Sequence, residues 1–220
     1  MTSSAIAGTG LKAHWSGVLG QPWVDRTIAI IASVPFVWLA HYRYQNLRLG
    51  LPLVSSVTVS LVLIVTMILR RPPKRVTLNP AYWLLAFFAT YWPLLILAIL
   101  QQGRPVVPSS ISDTIAICAL AVTLWARFSL GRNIGFVPAQ RDIVTGGAYR
   151  YMRHPIYTGV FLGSFALALR AYTPRNAGLL GLGALLFVIK SFIEENFLRA
   201  DPQYAAYLNN LRARWIPYVV

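Results

Sequence analysis

The sequence predicts an all-α integral membrane protein of about six transmembrane helices, ending in a helical hairpin and a cytosolic amphipathic C-terminal helix. Three observations lead there. Hydrophobic residues make up 56% of the 220 and charged residues only 12%, about half the ~25% of an average soluble domain. The apolar residues fall in runs that approach the ~20 residues a helix needs to cross the hydrocarbon. The basic residues collect mainly between those runs.

The runs lie at about 26–42, 51–69, 80–100, 111–130, 156–172 and 176–198. The first is the weakest, being short and containing Pro35. The second, Leu51 to Leu69, carries no charge and is the clearest. The third has aromatic residues near its start, fitting an interfacial belt, and Pro93 in its middle, which favours a kink. The fourth is interrupted by Arg127 near its end. The last two are Gly-rich and joined by "RAYTPRN", which suits a tight helical hairpin. Met1 to Gln21 has no continuous apolar core, so it reads as a surface tail rather than a signal peptide.

Charge sets the orientation. With six spans, fifteen of the twenty basic residues fall on the side of both termini and five on the other. The positive-inside rule then places both termini in the cytoplasm, in a bacterial inner membrane. A soluble protein with net charge +14 would suggest nucleic acid. Here the basic residues flank apolar runs, so anionic headgroups of the lipid bilayer are the partner and nucleic acid is excluded. The single Cys118 rules out an intramolecular disulfide and packs as a small hydrophobe. Three His with no acid cluster argue against a metal site. His41 and His14 read as an interfacial and a tail histidine.

Between the fourth and fifth runs, "GRNIGFVPAQRDIVTGGAYRYMR" is too polar to span and too rich in Gly and aromatics for a plain linker. It leads into "RHPIYTG" at Arg153–Gly159. Pro155 suits the first turn of a helix, where its missing N–H costs nothing. His154 then sits near the N-cap, and the free N–H groups of that turn favour an anion. Gly159 and Gly163 leave one helix face bare, which lets a neighbouring helix or a ligand approach. At the end of the last run stands "EENFL", with Glu194 and Glu195, two of only six acids. Ionisable groups near membrane depth usually have a partner or a function. A hairpin returns them beside Arg153 and His154. An interfacial anchor and a salt bridge to Arg150, Arg153 or Arg199 would use the same geometry. Asp201 and Pro202 then start a helix whose Tyr204, Tyr207, Leu208, Leu211 and Trp215 share one face, lying on the membrane or covering the mouth.

"RHPIYTG" followed 35 residues later by "EENFL" resembles the RHPxYxG…EExxL pattern of the isoprenylcysteine carboxyl methyltransferase (ICMT) family. Phospholipid methyltransferases share it more loosely. The resemblance covers about residues 115–217, with "LGRNIGF" and the closing "RWIP" inside it. It divides the chain into a tail (1–22), three N-terminal helices (23–110) and a methyltransferase core (111–220). It implies S-adenosyl-L-methionine as donor, bound by Arg153, His154, Pro155, Tyr157, Gly159, Glu194, Glu195, Tyr204 and Tyr207. An apolar acceptor enters from the bilayer: a prenylated cysteine carboxylate, a lipid or a small thiol. Glu195 or His154 would act as base if the acceptor carries a proton, and Arg214 would orient an acidic acceptor or pair with Glu194. Two other classes stand beside this. A sterol-reductase-like enzyme would use NADPH, with Arg132 and Arg141 available for a 2′-phosphate. A non-enzymatic membrane scaffold would bind neither cofactor.

Overall fold

The computed structural model describes residues 17–46, 51–97 and 99–219, and the chain is mostly helical. Seven α-helices follow in order: α1 (Pro22–Asn46), α2 (Leu51–Ile68), α3 (Pro80–Leu97), α4 (Ser109–Leu130), α5 (Pro155–Arg170), α6 (Pro174–Leu198) and α7 (Pro202–Asn210). Single 3₁₀ turns occupy Gly131–Asn133 and Gly147–Arg150. Among the described residues, three helical stretches are long and apolar enough to cross a membrane: Pro22–Tyr42, Ser109–Asn133 and Pro174–Leu198. Their outward faces carry exposed Ile31, Trp38, Phe128 and Leu185, as expected of helices that face lipid.

The first run, the weakest by sequence, folds as a 25-residue helix straight through Pro35. A Pro-containing run of apolar residues keeps its helix when the outward face is lipid and the other face packs on a neighbour. Here that neighbour is α2. His41 is exposed near the end of α1, whereas His14 lies outside the described residues. Cys118 is exposed on α4, so it faces outward rather than packing in the interior.

The helix starts follow their capping chemistry. Thr173 accepts a 3.0 Å hydrogen bond from the Asn176 N–H, with Pro174 at the first helical position of α6. Asp201 does the same for α7, accepting from the Gln203 N–H at 2.8 Å ahead of Pro202. Removing such a cap costs about 0.5–2 kcal/mol. The helix after Pro202 stops at Asn210, and Leu211 is extended. Leu211 and Trp215 therefore leave the helical face that the sequence suggested.

The densest packing is that of α4 on α5. Gly159 explains it. A Cβ there would fall 2.1 Å from the Thr123 hydroxyl and 3.1 Å from the Ala119 carbonyl. The bare face of α5 thus receives α4, not α6, and the hairpin partner is not what the two glycines serve. α6 packs instead on α3, where Gly183 leaves room for Trp92 and the Trp92 indole donates to the Leu179 carbonyl at 2.9 Å.

At one end of the bundle the two polar loops meet in a short antiparallel ladder of β1 (Arg75–Val76) and β2 (Ala139–Gln140). The chain is therefore not wholly α, because two loops that share an end satisfy their backbone groups on each other. Arg132 reinforces the junction by donating to the Leu69 carbonyl at 2.8 Å. Buried Asp25 of α1 grips Arg70 at the end of α2, with contacts of 2.7 and 2.9 Å.

Candidate active site

The polar residues of the opening motif gather at the end that carries the β ladder. Glu195 is 2% exposed and lies at the centre of a cluster. Arg214 donates to both of its oxygens at 3.0 Å, Arg153 donates at 3.0 Å, and the His154 Nε2 lies 3.0 Å away. The carboxylate therefore has partners all round. Both backbones join the cluster. The Arg153 N–H donates to the Ala213 carbonyl at 3.0 Å and the His154 N–H to the Arg214 carbonyl at 2.9 Å. The Thr158 hydroxyl donates to the Trp215 carbonyl. Arg212–Trp215 is thus laid as an extended strap beside the start of α5.

This corrects two expectations. The N–H groups ahead of α5 are occupied by the chain's own carbonyls, so they do not stand open for an anion. Arg214 pairs with Glu195 rather than Glu194. Its guanidinium lies 4.1 Å from the Phe192 ring centroid and 5.4 Å from that of Trp215, a stacking arrangement that suits arginine.

Glu194 points the other way. It accepts from the Tyr157 hydroxyl at 2.6 Å, with the buried Lys190 ammonium 3.8 Å from its other oxygen. The Tyr157 ring is stacked on His154 at 5.2 Å with an interplanar angle of 9°. These groups border a cavity of about 150 Å³ that opens to solvent.

Six of the residues singled out by sequence line this cavity: Arg153, His154, Tyr157, Glu194, Tyr204 and Tyr207. Four do not. Pro155 starts α5, Gly159 packs on α4, and Glu195 and Arg214 lie behind the wall as its fastening. Tyr207 donates to the Tyr149 carbonyl at 2.6 Å, which fixes α7 over the 3₁₀ turn. The face of α7 that carries Tyr204 and Tyr207 is therefore turned inward on the cavity. Burial pushes the phenols of Tyr149, Tyr204 and Tyr207 well up, and neighbouring carboxylates push Tyr204 and Tyr207 in the same direction. They remain neutral and present hydroxyls and ring faces.

Sequence reasoning missed Tyr149, Asn133 and Asp142 and named Arg141 only for a 2′-phosphate; these four form the remaining polar lining. The Gly- and aromatic-rich loop marked the region but not the residues. Arg141 is 5% exposed and is tied to the Arg71 carbonyl at 2.8 Å and to Asp25 at 3.4 Å. Burial and the adjacent Arg70 lower its pKa to about 10, against the pull of Asp25, so it stays charged at neutral pH.

Most of the cavity and of the cluster lies in a stretch that a family model matches. Residues 109–204 match the model of the phospholipid methyltransferases. Over that stretch, under half of its length, the chain is similar to the phospholipid methyltransferases. That family takes in the ICMT-like membrane enzymes that the paired motif resembles, and the match supports a membrane methyltransferase. The match starts at the first residue of α4 and ends inside α7, so it includes every motif residue up to Tyr204. The phospholipid methyltransferase segment excludes α1–α3, although Asp25 of α1 contacts the cavity-lining Arg141 at 3.4 Å. No curated protein matches the chain.

Proposed function

We propose that the protein is an S-adenosyl-L-methionine-dependent methyltransferase acting on a membrane-embedded or apolar acceptor. The observation that carries this reading is the convergence of both halves of the motif on one tyrosine-lined cavity, most of it within the matched segment. The residues present suit the donor: ring faces of Tyr157, Tyr204 and Tyr207 favour a cation, and Glu194 offers a carboxylate for an ammonium or ribose hydroxyls. Bound there, S-adenosyl-L-methionine supplies a methyl group on a positively charged sulfur.

The chain's own residues align the partners and keep water out, which is most of what a displacement at carbon requires. Arg153, His154 and Tyr157 form one wall. Glu195 holds that wall and the Arg212–Trp215 strap in register, and Arg214 anchors it. Glu195 therefore acts as a positioning residue, because accepting a substrate proton would mean dismantling the cluster. For a thiol or amine acceptor, Glu194 is the carboxylate beside the cavity that can take the proton. The acceptor reaches the mouth from the bilayer between helices, with six spans and both termini cytoplasmic. A prenylated cysteine carboxylate, a lipid amine and a small thiol are the acceptor classes to test.

The test is transfer of labelled methyl from S-adenosyl-L-methionine to a native membrane extract, followed by identification of the labelled product. Thermal unfolding of the detergent-solubilised protein decides the cofactor. Ligand at ~100 times its dissociation constant adds ~2.7 kcal/mol. A rise in Tm with S-adenosylhomocysteine and none with NADPH supports the reading. A rise with NADPH alone favours a reductase, and no rise with either favours a scaffold.

A further inference from the structure

Three cavity-lining residues carry a buried polar atom without a hydrogen-bond partner: Asn133 at Oδ1, Arg141 at Nη1 and Arg153 at Nε. A buried donor or acceptor left unpaired is costly and is normally satisfied. Arg153 is committed through its other nitrogens to Glu195 and the Arg212 carbonyl, so Asn133 and Arg141, both in the segment after α4, call for an explanation. Their charges give it direction. Asp25 is shared between Arg70 and Arg141, one acid for two buried guanidiniums. Arg70 takes both carboxylate oxygens, and Arg141 is left with one long contact. The surplus is a positive charge with a free N–H group.

The neighbouring acid does not cancel it, because Asp142 is paired with Arg71 and Lys74. Gly135, also on the cavity lining, lies beside Arg141. A Cβ there would come within 2.9 Å of the Arg141 Nη1 and 3.2 Å of the Val137 carbonyl. The bare glycine leaves that space beside the guanidinium unfilled. The segment after α4 thus brings a cationic N–H and a neutral acceptor oxygen to the cavity lining, neither atom having an internal partner. An α-amino-acid group carries the matching pair, a carboxylate and an ammonium.

We propose that Asn133, Gly135 and Arg141 form the seat for the α-amino-acid end of the ligand in this cavity, with Arg141 on the carboxylate and Asn133 on the ammonium. The inference rests on the methyltransferase reading above, in which the donor bears such a group. It places the recognition of the donor's amino-acid end on the loop after α4, away from the start of α5. A carboxylate or phosphate on the acceptor has the same chemistry as the donor's carboxylate, and the ligands chosen for the test separate the two sources.

The test compares binding of S-adenosylhomocysteine with binding of 5′-methylthioadenosine, which keeps the nucleoside and lacks the amino-acid group. Arg141→Met is expected to weaken S-adenosylhomocysteine ~10–100-fold, the scale of a charge-assisted hydrogen bond, and to leave 5′-methylthioadenosine unchanged. Asn133→Ala is expected to act in the same direction while leaving the Arg141–Asp25 contact in place, and Gly135→Ala to act in the same direction by setting a methyl against the Arg141 guanidinium. They decide the question if Arg141→Met fails to fold. Equal loss for both ligands, or loss for neither, overturns the seat and leaves the surplus charge to the fold or to an anionic acceptor. If the wild-type protein binds neither ligand, the methyltransferase reading itself fails and the seat falls with it.

Discussion

Glu195 and Asp25 are both buried carboxylates that hold arginines, and they differ in how completely their arginines are engaged. Around Glu195, Arg214 is held by two contacts and Arg153 and His154 by one each, all at 3.0 Å. Around Asp25, Arg70 is held by two contacts and Arg141 by a single one at 3.4 Å. The first cluster has its acid at the centre and acts as a fastening, joining α6, the start of α5 and the C-terminal strap. The second leaves one guanidinium half-committed on a cavity wall. A buried carboxylate with every lone pair taken fixes geometry, whereas a shared one leaves charge for something else to meet. The N-terminal helices, outside the family segment, supply that second acid.

The largest expected effect comes from breaking the full cluster. Glu195→Ala leaves Arg153, Arg214 and His154 without their acceptor, and an uncompensated buried charge costs about 3–5 kcal/mol. Thermal unfolding in detergent should show a correspondingly large fall in Tm, with methyl transfer lost. Pairing it with Arg214→Ala sharpens the result. If the two act as one unit, the double variant should be less destabilised than the sum of the singles; strict additivity would mean that Arg214 contributes through Phe192 and Trp215 alone.

Breaking the shared acid is expected to cost less. Asp25→Asn removes the charge opposite Arg70, but Arg70 keeps the Asp25 backbone carbonyl at 3.1 Å and asparagine keeps one acceptor oxygen. The loss should be about 2–3 kcal/mol, the scale of a charged hydrogen bond. An effect as large as that of Glu195→Ala would show that the two clusters are equally critical to the fold.

A third change tests the packing that brings the clusters to one end. Gly159→Ala forces a methyl against the Thr123 hydroxyl, and overpacking of this kind costs about 1–3 kcal/mol. Adding Thr123→Ala should restore most of the Tm. Failure to restore it would place the clash on the Ala119 carbonyl instead.

The contrast between the clusters also shows what the sequence could reveal. Apolar run lengths located the helices to within a few residues, because lipid-facing helices announce themselves by composition. Pro155, Thr173 and Pro202 marked starts through local chemistry that needs no tertiary context. The meeting of Arg153 and His154 with Glu194 and Glu195 was legible from spacing. The partners within that meeting were not: whether Arg214 takes Glu194 or Glu195 depends on a strap whose extended path has no periodic signal. Arg70 and Arg141 lie 45 and 116 residues from Asp25 along the chain, and no local pattern links them. Gly159 was read as a bare face correctly, but which helix it receives is a matter of packing order.

The smallest expected effect lies at the opposite end of the bundle. Asp113 of α4 meets Arg170 of α5 at 2.5 Å, with side chains 34% and 46% exposed. Water screens such a pair and holding two long side chains together costs entropy, so Asp113→Asn should change stability by no more than about 1 kcal/mol, less at high salt. The same two helices carry Gly159 and Thr123, so the α4–α5 contact is common to both tests. Methyl transfer should be untouched by Asp113→Asn, because the strap, the tyrosines and both carboxylate clusters lie at the far end. A marked loss of activity with normal Tm would mean that motion between α4 and α5, rather than the static clusters, limits turnover.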